Sequence, residues 1–472
     1  MLDLIKRKPI YFLLSFYFLA SLIILFTTNG TGENGSGDSI LHYLYAKYAI
    51  TNSSLFFNHW AKPFFVFLSF PFAQFGIVGM KFFNIIVSLF TLLFTYKTAV
   101  NLNYKNSILG AIILLCTPLF FVLTFSGLTE PLFALFTIIS VYLFGNQKYI
   151  LGAIILSFLP FVRSEGLIII GVFVFYLLIK KQWKFIPLFT IGHLVYSIIG
   201  YFHYHDILWV FNKIPYAKLS STYGNGELFH FVHQLFYVIG APIYVLLIFG
   251  ILKIVSSYFL EKKSFFSTTS ILIFGGFLAF LIAHSLFWYL GIFNSMGLKR
   301  VLISVAPLIA LIALNGFNLI TEQFVLNNKI LKLSIKFVLI GSILFFPFSG
   351  NKAAINWKND FSLSASQNLA NKSVSYLNTI KTPNTTFIFS NPYLSEQLNI
   401  NYFDETIRRS LSNENLERIK PSDIIIWDSW FGVIENGISE EKIRTSFNLK
   451  EIKTFKIMVG SREVTYILFK KK

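Results

Sequence analysis

Apolar residues run through the first three quarters of the chain in long blocks broken by short polar turns. Blocks at 10–27, 79–100, 107–124, 131–145, 149–162, 166–179, 185–203, 235–256, 268–290, 300–320 and 333–348 predict eleven membrane-spanning helices. Several are shorter than the roughly 20 residues that cross a bilayer, which calls for tilt or re-entrant geometry. The stretch 149–180 is interrupted by Arg163-Ser164-Glu165-Gly166. One long span would bury Arg163 and Glu165 in hydrocarbon, whereas two short spans leave them at a turn, at lower cost.

The pattern changes near residue 349. Residues 360–380 carry apolar positions at helical period, Phe387–Ser390 and Asp423–Trp427 read as short buried strands, and Lys450–Met458 with Glu463–Phe469 reads as a hairpin about Gly460-Ser461. The expected organisation is a multi-span membrane domain, 1–348, with a first large outer loop at 28–78, followed by a small α/β domain, 349–472.

Composition sharpens this picture. Apolar residues make up 55% of the chain and charged residues only 13%, about half the charge of an ordinary soluble protein. The net charge of +18 would fit a nucleic-acid binder, but its distribution does not. Residues 1–348 hold 23 Lys/Arg against nine Asp/Glu, and residues 349–472 hold 17 against 13. With eleven spans, 15 of those 23 cations, among them Lys6, Arg7, Lys8, Lys262 and Lys263, fall on one side, as the positive-inside rule requires. The acids reverse this: Glu33, Asp38, Glu130, Glu165, Asp206 and Glu227 fall on the other side, and only Asp3, Glu261 and Glu322 join the cations. The N-terminus is therefore expected in the cytosol and the 349–472 domain outside, with no nucleic-acid partner. The run 10–27 lacks a small-residue cleavage site after it and reads as a signal anchor. Cys116 is the single cysteine, so no internal disulfide is possible.

Candidate chemistry concentrates in the first outer loop. A flexible polar run from Asn29 ends at Asp38, which heads a segment with helical spacing. Asp38 suits an N-cap, and a carboxylate beside a Gly-rich loop equally suits a general base. Farther on, His59, Lys62 and Pro63 enter a re-entrant or interfacial helix with the ammonium at headgroup level, placed to snorkel or to recognise a lipid-linked phosphate. Glu130-Pro131 is an ordinary helix start, and Arg163 with Glu165 form a natural pair. Lys299-Arg300 are two adjacent cations on the side where cations are scarce. His203, His205 and Asp206 could hold a metal but equally fit an interfacial belt, so no metal ligand is assigned and divalent-metal dependence is left open. The loop 204–234, with Trp209, Tyr216, Tyr223, Gly224 and Gly226, suits stacking on sugars or a belt at the interface.

Gly37-Asp38 after a first span, His59-x-x-Lys62-Pro63 before the second, Thr129-Glu130-Pro131 opening a span, Arg163-Ser164-Glu165-Gly166 at a turn and Gly297-Leu298-Lys299-Arg300 before a late span resemble, in order and sidedness, the GT-C glycosyltransferases. The nearest branch looks like the bacterial relatives of protein O-mannosyltransferases and lipid A aminoarabinose transferases. Asp38-Ser39 stands where the family often has an acidic pair, and Lys62-Pro63-Phe64 where it often has Lys-Pro-Pro. The resemblance implies an integral protein of a bacterial inner or plasma membrane that transfers a sugar from a polyprenyl-phosphate donor to a lipid, glycan or protein acceptor on the outer face. It implies Asp38 as base, Lys62, Arg163, Lys299 and Arg300 at the donor phosphate, and Glu33, His59, Glu130 and Glu165 near substrate. No P-loop or dinucleotide fingerprint occurs. The rival is a transporter or lipid flippase, which would be expected to show internal repeats and charges near the midplane.

Overall fold

The computed structural model describes residues 9–35, 37–215, 220–259, 265–324 and 328–472. Asp3, Lys6, Arg7, Lys8, Tyr216, Glu261, Lys262 and Lys263 lie outside the described residues. All eleven apolar runs become helical, and they differ in length. Among the described residues seven helices are long and apolar enough to cross a bilayer: Pro9–Thr27, Gly76–Asn101, Trp183–Tyr204, Ala241–Phe259, Thr269–Leu290, Lys299–Glu322 and Lys329–Phe348. An eighth results if Ser107–Leu115 and Pro118–Thr124, bent by 68°, are counted as one. The bend falls where Pro118 cannot donate to the helical ladder.

Of the eleven expected spans, those at 131–145, 149–162 and 166–179 form apolar helices shorter than a full bilayer crossing. Glu130–Gly145, Tyr149–Phe161 and Gly166–Ile179 are apolar but short, the last two because the turn at Arg163-Ser164-Glu165 splits the apolar stretch they share. The helix Pro63–Ala73 is a further short apolar element, entered from Lys62 with a left-handed φ of 65°. The expected block 235–256 is divided by Gly240, whose φ of 77° ends His230–Ile239 before Ala241 starts the next helix.

The helices Ala241–Phe259 and Ala306–Leu319 pack backbone to backbone. A Cβ on Gly250 would stand 1.9 Å from the Ile312 carbonyl oxygen, and one on Gly316 1.9 Å from that of Leu246. With lipid outside, close van der Waals approach between small residues is what holds such helices together.

The C-terminal part forms a five-stranded sheet of order β2-β1-β3-β5-β4, from β1 (Phe387–Ile388), β2 (Arg408–Arg409), β3 (Ile424–Asp428), β4 (Leu449–Val459) and β5 (Arg462–Lys471). β1 pairs parallel with β2 and β3, and β3, β5 and β4 are antiparallel. The expected helix, strands and hairpin are all present. The two-residue β2 is the element the sequence pattern did not signal, its Arg-Arg pair having no apolar alternation to detect. The helix Ala365–Ile380 starts from a Ser364/Gln367 capping box.

This α/β layer is bonded to the segment 28–48. The Gly30 amide donates to the Phe361 carbonyl at 2.9 Å, Gln367 Nε2 to Thr31 Oγ1 at 2.9 Å, and the Tyr43 hydroxyl to Glu396 at 3.0 Å. Lys47 pairs with the same Glu396 at 3.2 Å. Segment 28–48 is thereby clamped between the helical bundle and the sheet layer.

Gly316→Val should force the two glycine-packed helices apart and cost about 1–3 kcal/mol through overpacking. Thermal unfolding in detergent checks this, with Gly341→Val, whose Cβ meets nothing within 4 Å, melting close to wild type.

Candidate functional site

Beneath the sheet layer, charged side chains from five separated segments meet. Glu33 lies in a single 3₁₀ turn, Asp38 in the first turn of Gly37–Tyr48, and Lys62 just before Pro63–Ala73. Glu130 opens its helix, Arg163 and Glu165 occupy the turn before Gly166–Ile179, and Arg300 lies in the 3₁₀ segment Lys299–Val305.

Two arginines organise these acids. Arg300 bonds Asp38 through Nη2, reaches Glu130 through Nε at 3.3 Å, and has Nη1 3.8 Å from Glu33. Arg163 contacts Glu130 at 2.8 Å, Glu165 at 2.8 Å and the Thr129 hydroxyl at 3.2 Å. Glu130 is thus shared by both guanidiniums, and its side chain is only 1% exposed. His284 Nε2 stands 3.9 Å from Glu165. The result is a continuous row: Glu33 and Asp38, Arg300, Glu130, Arg163, Glu165, His284.

Such a row is tolerated in a buried place because every member is opposed. An isolated charge there would be expelled or neutralised. Asp38 is the exception in exposure. Its side chain is 42% exposed, against 17% for Glu33, 18% for Glu165 and 1% for Glu130, so it is the carboxylate a ligand meets first. Burial pushes its pKa up, but the Arg300 guanidinium, with smaller help from neighbouring cations, outweighs this and holds it below the usual carboxylate range. Glu33, farther from Arg300, goes the other way: burial raises it above the ordinary value.

Lys62 lies in the electrostatic field of Glu165, Arg163, Asp38 and Glu130. Burial lowers its ammonium to about 8, the nearby carboxylates offsetting part of that.

The residues singled out in the sequence mostly converge here. Glu33, Asp38, Lys62, Glu130, Arg163, Glu165 and Arg300 share one region. Asp38 lies inside the first helical turn, so it is engaged by a side chain and does not head the helix as a cap. Glu130 begins a helix as expected, yet its carboxylate also joins the two arginines. Arg163 and Arg300 already hold carboxylates. Lys299 stands at the edge, in the field of Glu33 and Asp360. His59 packs with its ring 4.9 Å from that of Trp209, and burial lowers it to about 4.

Trp209 itself is fully buried, with Nε1 donating to the Tyr196 carbonyl at 2.8 Å, which leaves it no free face for a sugar. Tyr223, from the same stretch, donates to Glu435 of the sheet layer at 3.2 Å. His203 stacks on Phe57 and Asp206 caps the Leu208 amide. Among the described residues no three His, Cys, Asp or Glu are grouped to hold a metal. Sequence reasoning passed over His42 and His284. His42 had a signal, its spacing four residues after Asp38; His284 had none, being one polar position inside an apolar helix.

No family model and no curated protein matches the sequence. Among solved structures the chain is similar to ArnT from Cupriavidus metallidurans bound to undecaprenyl phosphate, with TM-score 0.61 and 8% identity over 96% of this chain and 97% of that one. The apo state of that protein is similar at TM-score 0.59 and 10% identity, with the same coverage. The likeness is one of fold: a polytopic helical membrane protein with a small α/β layer at its C-terminal end.

Arg300→Met would leave Asp38, Glu33 and Glu130 without their shared cation and should destabilise the protein by about 3–5 kcal/mol. Lys299→Met, at the edge, should change the melting temperature little. Equal melting of the two variants would mean that the buried carboxylates do not depend on Arg300.

Proposed function

We propose that the protein is a GT-C glycosyltransferase that moves a sugar from a polyprenyl-phosphate donor to a hydroxyl of a lipid, glycan or protein acceptor. The observation that carries this reading is the half-open Asp38 carboxylate, pinned by Arg300 beside buried Lys62, on a fold similar to one solved with undecaprenyl phosphate. The asymmetry of basic and acidic residues, read with an odd number of spans, favours a cytosolic N-terminus and this chemistry on the outer face of a bacterial inner membrane.

In this mechanism Arg300 holds Asp38 ionised and fixes the direction of its free oxygen. The acceptor hydroxyl attacks the anomeric carbon while its proton passes to Asp38. The bond from that carbon to the phosphate oxygen breaks, and the electron pair leaves with the polyprenyl phosphate. The configuration inverts. A carboxylate of depressed pKa is a weak base toward a free hydroxyl, but the hydroxyl grows acidic as its oxygen bonds to carbon, so transfer is favourable late in the step. The leaving phosphate gains negative charge, and Lys62, buried in the same electrostatic field as Asp38, is the cation assigned to meet it. Glu130 and Glu165 act by keeping the two arginines in place.

Asp38→Asn should lower turnover of radiolabelled polyprenyl-phosphate sugars by roughly 10²–10⁴-fold while undecaprenyl phosphate still binds. Turnover equal to wild type would remove Asp38 as the base. Lys62 is charged below about pH 8, so affinity for undecaprenyl phosphate should be full at pH 6.5 and fall as the pH rises through that value. A Lys62→Met variant should bind weakly and without this dependence, measured by the same equilibrium assay.

A further inference from the structure

Asp38 and His42 stand one helical turn apart on Gly37–Tyr48, so their side chains rise from the same face. The charges acting on His42 are those of Asp38, Lys62, Arg163 and Arg300, which sets it against the ionic row. The residue is 6% exposed, its ring stacked on Trp60 at 4.9 Å and edge-on to Phe65 at 5.4 Å. Its Nδ1 is buried without a hydrogen-bond partner. Buried polar atoms are nearly always paired, and an exception in a native site asks for a reason. Burial and the three cations, working against Asp38, lower the imidazole to about 3 and keep it neutral. A neutral ring has one N–H and one lone pair. That combination suits a hydroxyl, which both donates and accepts, better than it suits an anion, for which Lys62 is the stronger partner.

We propose that His42 Nδ1 hydrogen-bonds a hydroxyl group of the substrate, one helical turn from Asp38, and so determines which oxygen is presented to that carboxylate. The proposal rests on the glycosyltransferase reading and adds to it a second polar contact on the helix that carries the base. The hydroxyl belongs either to the sugar being transferred or to the acceptor, and the kinetics separate the two.

The test uses the full chain in nanodiscs with three variants. His42→Phe keeps the stack on Trp60 and removes both nitrogens, His42→Asn puts an amide near the Nδ1 position, and His42→Gln puts one near Nε2. For the polyprenyl-phosphate sugar that the wild type turns over, His42→Phe should lower kcat/KM roughly 5- to 10-fold, as for the loss of one neutral hydrogen bond. His42→Asn should regain most of this and His42→Gln should not. Undecaprenyl phosphate has no sugar hydroxyl, and its affinity should be unchanged in all three. A rise in donor KM assigns the hydroxyl to the sugar, and a rise in acceptor KM assigns it to the acceptor. Wild-type kinetics in His42→Phe overturn the proposal, as does a parallel loss of undecaprenyl phosphate binding, which would mark His42 as a packing residue. If His42→Phe does not fold, equal losses in the Asn and Gln variants overturn it. A wild type that turns over no polyprenyl-phosphate sugar refutes the glycosyltransferase reading itself, before any variant is compared, and this proposal with it.

Discussion

Arg300 is the side chain on which the site depends. Its guanidinium contacts Asp38, reaches Glu130 and faces Glu33, three acids from two separate segments, and is itself only 9% exposed. Removed from water, none of these carboxylates would stay ionised alone. Together with Arg163 they form a row in which each charge offsets the burial of the next. The row also has a mechanical effect. It ties the start of Gly37–Tyr48 to Glu130–Gly145, to the Arg163 turn and to the Lys299–Val305 segment, so the floor of the site has little freedom.

That rigidity divides the charged groups into two kinds. Arg163 and Arg300 are each ion-paired to carboxylates, and a ligand has to compete with those pairs to reach them. Asp38 is half open, and Lys62 and His42 are buried beside the row under strong electrostatic influence. On the glycosyltransferase reading these three fall into complementary roles: a base for a proton, a cation for a leaving phosphate, and a neutral donor–acceptor for a hydroxyl. The sheet layer closes over them through Glu396, Gln367 and Glu435, each bonded to a segment of the bundle or its loops.

Some local expectations changed once the chain was folded. Asp38 has the right composition for a cap, and Glu130-Pro131 reads as an unremarkable helix start. Both readings describe the backbone correctly in outline, yet neither carboxylate is spent on it. Arg163 with Glu165 was legible as a pair because the two are neighbours in sequence. The second partner of Arg163, Glu130, was not, since 33 positions separate the two. Trp209, which in isolation suits stacking on a sugar, is enclosed by Tyr196 and Gly200.

What the sequence determined by itself is what depends on local, additive physics. Transfer of apolar side chains from water sums along a run, so the helical blocks, the change of character near residue 349 and the terminal hairpin were visible without coordinates. The expectation that the acids gather on one side came from the order of runs and turns. The length of each helix was less legible, because a 16-residue apolar helix and a 20-residue one look alike in composition. The tertiary structure alone decided which charges pair. Coulomb energy in a buried site depends on distances of a few ångströms and on exclusion of water, and both are set by segments far apart in the chain. For that reason Lys62, Arg163, Lys299 and Arg300, four equivalent cations in the sequence, became two framework arginines, one buried lysine and one at the edge.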